Sequence, residues 1–222
     1  MENVLLIDTS ADTCTVLVHK AGELIAEITS PEARNHAANI NLMIEEALKK
    51  AEITFKELNG VGVCAGPGSY TGLRIGMATA KGLCFALDIP LFADNKLALL
   101  SYALFCNLQF KGKKVGAVLK AREKEYFIQL FDAEFNPIDE AKHISEDELA
   151  VVLEKNEDLV LSTTVFPTFL KELHGNKIYV HEIDQIDPKN WCLFSHLQYM
   201  SKNSVKLSTA EPFYLKQVYT HK

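Results

Sequence analysis

The residues best suited to chemistry form one run, Cys64-Ala65-Gly66-Pro67-Gly68-Ser69-Tyr70-Thr71-Gly72-Leu73-Arg74-Ile75-Gly76, where a β-like segment enters a helix. Glycines let a backbone approach an anion closely, and a helix N-terminus presents unpaired N–H groups to it. Gly66 and Gly68 are therefore candidate phosphate or nucleotide contacts. The run is not a Walker loop, because no Gly-Lys-Ser/Thr closes it. Nor is it a dinucleotide fingerprint: Pro67 removes a donor, and the G-x-G-x-x-G spacing is absent. A tight β–α turn, with Gly72 and Gly76 admitting a neighbouring helix, explains the same glycines equally well. The second candidate is Ile7-Asp8-Thr9-Ser10, at the end of the first β-like run. Asp8 and Thr9 are suited to a metal-bound water or a phosphate, but a hydroxyl-rich turn bridging two strands is the favoured reading.

Other catalytic groups are thin. Seven histidines include no H-x-x-x-H or H-x-x-H pair, and Ser69 lacks the G-x-S-x-G elbow. The five cysteines contain no C-x-x-C, which fits reduced, buried thiols better than disulfides or zinc. Asp132, Glu134, Glu140, Glu146, Asp147 and Glu148 read as a solvated face. No catalytic residue and no metal ligand is assigned. The formal net charge of −6 argues against a chain that grips nucleic acid alone, since neutralising phosphates supplies most of that affinity. The N-terminus lacks a basic start and a long apolar stretch, and Tyr70–Leu91 is broken by Arg74, Lys81 and Asp88. The expectation is a cytoplasmic protein with no membrane span.

The elements that must position these residues follow from periodicity. Val4–Asp8, Thr13–His19 and Gly22–Thr29 read as a three-stranded meander. A helix from Arg34 to Ala51 carries Ile40, Met43, Ile44, Ala47, Leu48 and Ala51 on one stripe. Strand Gly60–Ala65, helix Tyr70–Leu87, strand Pro90–Ala93 and helix Lys96–Leu108 come next. The basic, glycine-containing break Phe110–Lys114 suggests two domains, 1–109 and 110–222. Beyond it come strands Val115–Lys120, Tyr126–Asp132 and Ile138–Ile144, then helix Glu146–Lys155 and strand Leu159–Leu161. Helix Phe166–His174, strand Lys177–His181, helix Lys189–Lys202 and a last strand, Pro212–Leu215, complete the pattern. The order βββαβα, followed by a second strand-led half, suggests an α/β protein of two related lobes.

Helix Tyr70–Leu87 is apolar or small nearly all round, so both of its sides must be covered. One side meets this chain's sheet. For the other, the four-residue ladder Gly72, Gly76 and Ala80 predicts close contact with a partner helix. Ala38 and Leu42, near Glu45 and Glu46, lie opposite the main stripe of the preceding helix.

The start Val4-Leu5-Leu6-Ile7-Asp8-Thr9-Ser10, the helix entry Arg34-Asn35-His36 and GPGSYTGLRIG before an A-x-G-L helix resemble the TsaB (YeaZ) family. So does the closing Glu211-Pro212-Phe213-Tyr214-Leu215. The resemblance spans nearly the whole chain. It implies an actin-like ATPase (ASKHA) fold with two βββαβα-type lobes, the second reduced. It also implies an accessory role beside the paralogous TsaD family, which transfers threonylcarbamoyl to the adenosine next to the anticodon of tRNA. TsaD-like proteins carry a metal-binding H-x-x-x-H where this chain has Lys96 and Leu100, neither of which ligates a cation at neutral pH. The implied partners are a TsaD-like protein in a heterodimer and a TsaE-like ATPase, with a homodimer when alone and no direct tRNA binding. The implied interface is formed by the first two helices, at Leu42, Glu45, Gly72, Arg74, Gly76 and Ala80, with Ala38 and Met77 beside them. No cofactor of its own is expected; ATP or ADP at the partner interface is the candidate ligand. Family members often have Asp-Ala-Arg where this chain has Lys120-Ala121-Arg122, which puts any ligand contact carried over from that stretch in doubt. The alternative is an independent ASKHA-type ATPase or phosphotransferase working through Asp8 and Gly66–Gly68. Against it, the second half lacks a glycine-containing phosphate loop, Thr163-Thr164 being a weak substitute. A peptidase ranks last for want of a nucleophile–base pair.

Overall fold

Continuous apolar runs such as Val4–Ile7 and Val61–Ala65 build the centre of a sheet buried on both faces, while Glu23–Ser30 alternates as an edge. In the computed structural model, which describes residues 1–30, 36–163, 178–183 and 185–215, β1 (Asn3–Asp8), β2 (Cys14–Lys20) and β3 (Glu23–Ser30) are antiparallel. Strands β4 (Gly60–Gly66) and β5 (Leu91–Asn95) add in parallel, giving the order β3-β2-β1-β4-β5. The register sets Leu5 beside Val18 and Val61, and Ile7 beside Val16 and Val63. These residues share one core with α1 (His36–Lys50) and α2 (Tyr70–Leu87). The stripe Ile40, Met43, Ile44, Ala47 and Leu48 is the buried side of α1, as its spacing predicts. Ser69 caps α2 by accepting from the Gly72 N–H at 3.3 Å, and Asp88, in the left-handed region at φ +54°, ends it.

The second half repeats the pattern. Strands β6 (Lys114–Arg122), β7 (Glu125–Phe131) and β8 (Lys142–Ser145) are antiparallel; β9 (Leu159–Ser162) and β10 (Tyr179–His181) add in parallel beside β6. The order β8-β7-β6-β9-β10 is that of the first sheet, strand for strand. Helix α4 (Glu146–Glu154) starts in a capping box, Ser145 and Glu148 each satisfying the other's backbone N–H.

Two compact units result, but a single cut after residue 109 does not separate them. One holds Met1–Lys96 and Pro188–Phe213; the other holds Leu97–Asp187 with Tyr214 and Leu215. Helix α3 (Lys96–Phe105) packs Ala98 and Leu104 against Val115 and Phe131, and Leu97 and Leu100 against Ala117. Helix α5 (Pro188–Met200) instead covers the free face of the first sheet.

Smaller differences have local causes. Helix α3 stops at Phe105, and Asn107 caps a 3-10 turn, Leu108–Phe110, by accepting from the Gln109 N–H. β8 begins at Lys142, four residues later than expected. Pro212–Leu215 is no strand: Phe213 N–H donates to the Ala65 carbonyl at 2.7 Å, but Pro212 has no N–H with which to extend a ladder. The expected helix Phe166–His174, Thr164, and the Arg34-Asn35 helix entry lie outside the described residues.

Candidate functional site

β1 ends at Asp8, and the turn beyond it is held by its own side chain: Ser10 N–H donates to Asp8 Oδ1 at 2.8 Å. The glycine-rich turn closes directly on this segment, Ser69 N–H donating to the Ser10 carbonyl at 2.8 Å. Thr9 is fully buried, and its hydroxyl donates to the Gly72 carbonyl at 2.7 Å. A Cβ on Gly68 would overlap the Ser10 carbonyl, one on Gly72 the Thr9 carbonyl, and one on Gly76 the Thr9 hydroxyl. Asp8 and the Gly68 turn are thus both tied to Ser10. Protein atoms fill the space that the missing side chains leave, so these glycines seat α2 on the end of β1. Gly66 has φ +115° and precedes a cis Gly66-Pro67 bond; a Cβ there would meet Leu73 Cδ1 at 2.8 Å. The Ser10 hydroxyl is buried beside the Cys64 thiol.

The other face of the sheet holds groups that sequence spacing did not single out. Asp94 is fully enclosed and accepts from Trp191 Nε1 of α5 at 2.8 Å. Burial pushes its carboxyl up to about 6, and the Trp191 bond opposes that rise. His19 is buried; its Nδ1 accepts from the Gly22 N–H at 3.1 Å, which leaves the proton on Nε2, 3.0 Å from Ser195 Oγ of α5. Burial brings His19 down to about 4, so it is neutral at physiological pH. His196 of α5 pairs with Glu2. Cys64, the register partner of Asp94, has its thiol pushed far up by burial and then by Asp8, so it is no nucleophile. None of these partners is visible in local spacing, because α5 arrives from the far end of the chain.

The outward side of α1 and α2 differs from the expected interface. Leu42 is 64% exposed, Ala38, Glu45 and Arg74 are exposed, and the Arg74 guanidinium lies 4.0 Å over the Tyr70 ring. Gly72, Gly76, Ala80 and Met77, by contrast, are buried within the chain and form no outer surface. The outward ladder is Arg74, Ala78 and Gly82, beside Phe85 at 83% exposure. Among the described residues, and apart from its own helix turn, nothing lies within 4 Å of where a Gly82 Cβ would sit. Both ladders are small at four-residue spacing, and close packing on Thr9 selects the first for the interior. The charge of Arg74 was the one sequence signal marking the second as the outer ladder.

Elsewhere, Lys96 and Leu100 are both buried in α3. Among the described residues, no three His, Cys, Asp or Glu side chains are grouped so as to hold a metal ion, and no helix is long and apolar enough to cross a membrane.

Residues 23–181 match the profile of the family described as TsaD, tRNA N6-adenosine threonylcarbamoyltransferase. A protein of Buchnera aphidicola named tRNA threonylcarbamoyladenosine biosynthesis protein TsaB is 33% identical over 128 residues. That match covers 57% of each chain, so this chain spans little more than half of that relative's length. The protein of the same name from Haemophilus influenzae is 26% identical, over 100% of this chain and 98% of its own. A Pseudomonas aeruginosa structure described as similar to the peptidase YeaZ superposes with a TM-score of 0.81 at 21% identity, over 97% of this chain and 100% of that one. Two sheets of identical strand order, each fed by a strand-led α/β run, are the actin-like (ASKHA) architecture. The relatives named TsaB are what the chain resembles along its length, and the family to which it belongs is the one that the TsaD profile describes.

Proposed function

We propose that this protein is a non-catalytic subunit that binds a TsaD-like protein and supports threonylcarbamoyl transfer to the adenosine next to the tRNA anticodon. The observation that carries this reading is the outer face of α1 and α2, which exposes Leu42 on α1 and, on α2, Phe85 beside the small residues Ala78 and Gly82. Small residues let another helix approach closely, and two exposed large apolar side chains disfavour leaving the face in water. Glu45, Glu46 and Arg74 supply a charged rim. The names carried by the relatives place such proteins in threonylcarbamoyladenosine biosynthesis. In this reading the partner brings the metal and the tRNA-binding surface, which suits a chain of net charge −6. A TsaE-like ATPase joins the assembly, ATP or ADP sits at the partner interface, and the same face closes a homodimer when the partner is absent.

The test is co-purification and analytical ultracentrifugation with the TsaD-like protein of the same source. A heterodimer at micromolar concentration that Gly82→Leu and Phe85→Asp both abolish supports the reading. No complex between two folded proteins overturns it. ATP hydrolysis by the isolated chain, lost on Asp8→Asn, would favour the independent-ATPase alternative instead.

A further inference from the structure

The second sheet ends in a free strand beside an open cleft. β8 pairs with β7 on one side and, among the described residues, has no strand on the other. Helix α4 lies over the sheet next to that edge, and the space between them is a cleft of about 410 Å³. Its lining comes from Lys142 and Ile144 of β8 and from Asp147, Glu148, Val151 and Val152 of α4. Ile144 packs into the core with Leu149 and Leu153, so the apolar floor of the cleft is anchored, while Val151 on its wall is 48% exposed. His143, the intervening residue, is directed elsewhere, to Glu125 at 3.1 Å and the Phe127 ring.

An edge strand next to a helix with an apolar gap between them is the arrangement in which an extended peptide adds as one more strand. Its main chain would continue the ladder, and every second side chain would point into the cleft. Charge selects the occupant. From Asp139 to Glu148 the chain carries five carboxylates (Asp139, Glu140, Glu146, Asp147, Glu148) against one lysine. That lysine, Lys142, is already paired with Asp139 at 3.0 Å. Glu148 is engaged with Ser145 and Glu146 with the Tyr126 hydroxyl, which leaves Asp147 as the lining carboxylate best placed to meet an incoming cation.

We propose that the cleft between β8 and α4 is a docking site for an extended partner segment whose cleft-facing side chains, at every second residue, are apolar on either side of one Lys or Arg. The segment extends the sheet at β8, sets apolar side chains between Ile144 and Val151, and points Lys or Arg at Asp147. This site lies in the second unit and does not depend on the α1–α2 face.

The probe is a fluorescein-labelled synthetic octapeptide, Gly-Thr-Val-Thr-Lys-Thr-Val-Gly, whose two valines and lysine share one face, added to the full chain. Its controls are the same peptide with Glu in place of the lysine and one with Pro replacing the threonine before the lysine. Fluorescence anisotropy reads affinity, and amide cross-peaks of Lys142–Val152 report the place. The basic peptide binds at least tenfold tighter than either control, with shifts confined to β8 and α4. Asp147→Lys and Val151→Glu, both on the surface, each weaken it at least fivefold while the circular dichroism spectrum is retained. Equal binding of the acidic or Pro peptide, shifts centred elsewhere, or indifference to both substitutions overturns the proposal. Self-association of the chain that moves the same cross-peaks without peptide also overturns it, because the occupant would then be a second copy.

Discussion

The Thr9 hydroxyl, at the end of β1, donates a 2.7 Å hydrogen bond to the carbonyl of Gly72, in the first turn of α2. A helical carbonyl that accepts an extra bond from a buried hydroxyl fixes the helix against the strand. Gly72 and Gly76 are what permit that approach. The glycine-rich run thus reads as a joint between two elements.

The first prediction sets one substitution against itself within α2. Gly72→Ala places a methyl group in the Thr9 carbonyl and should cost about 2 kcal/mol, despite the better helix propensity of alanine. Gly82→Ala meets open space and should stabilise by roughly 0.5–1 kcal/mol. Urea denaturation of both variants decides it; a loss at Gly82 with a gain at Gly72 would mean that α2 is seated the other way round.

Binding and folding should separate on the same helix. Phe85→Asp and Leu42→Asp change exposed positions and should leave stability within about 0.5 kcal/mol of the parent. Each should weaken association with a TsaD-like protein at least tenfold, or about 1.4 kcal/mol. Gly76→Val should instead lower the folded fraction itself, because its side chain would enter Thr9. Thermal melts run beside the binding titrations separate the two effects.

Removing the indole N–H should expose how α5 is held. Trp191→Phe leaves the fully enclosed Asp94 carboxyl without this donor and should cost about 1–3 kcal/mol beyond any packing loss. Adding Asp94→Asn to it should recover part of that cost, since the amide carries no charge to strand. A double-mutant cycle measures the coupling; strictly additive losses would argue that the bond contributes nothing.

Two buried groups on this face should give stability opposite pH slopes. His19 falls from 6.5 to about 4 on folding, so the unfolded chain takes up the proton first as pH drops. Its contribution is therefore complete above about pH 6.5 and is lost on the way down to 4. Asp94 rises from 3.8 to about 6, so its contribution is complete below 3.8 and is lost as pH rises through 6. His19→Gln should flatten the acid limb of a stability–pH curve, and Asp94→Asn the limb between 4 and 6. Unchanged slopes in both variants would show that neither group titrates as its burial requires.

Helix α2 shows how far the sequence reaches. Its limits, Tyr70 and Leu87, were legible because Ser69 is a capping residue and Asp88-Ile89-Pro90 stops a helix. Which ladder faces inward was marked only by the charge of Arg74, one turn before Ala78, because Gly72-Gly76-Ala80 and Ala78-Gly82 are both small and four apart. The role of Asp8 and Ser10 was legible as a turn, whereas the closeness of Thr9 to Gly72 was not.

By itself the sequence determined most of the periods among the described residues: the order of the strands and helices from β1 to β7, their approximate limits, and which side chains share a stripe. These depend on neighbours within a turn or a strand, so composition and spacing suffice. Only the tertiary structure decided what covers each stripe. Asp94 and Trp191 are 97 positions apart, and His19 and Ser195 176. Their pairing carries α5 back to the first sheet, buries one face of it and draws the boundary between the units. Contacts at that separation are set by which surfaces fit once the elements exist, and no local pattern encodes the partner.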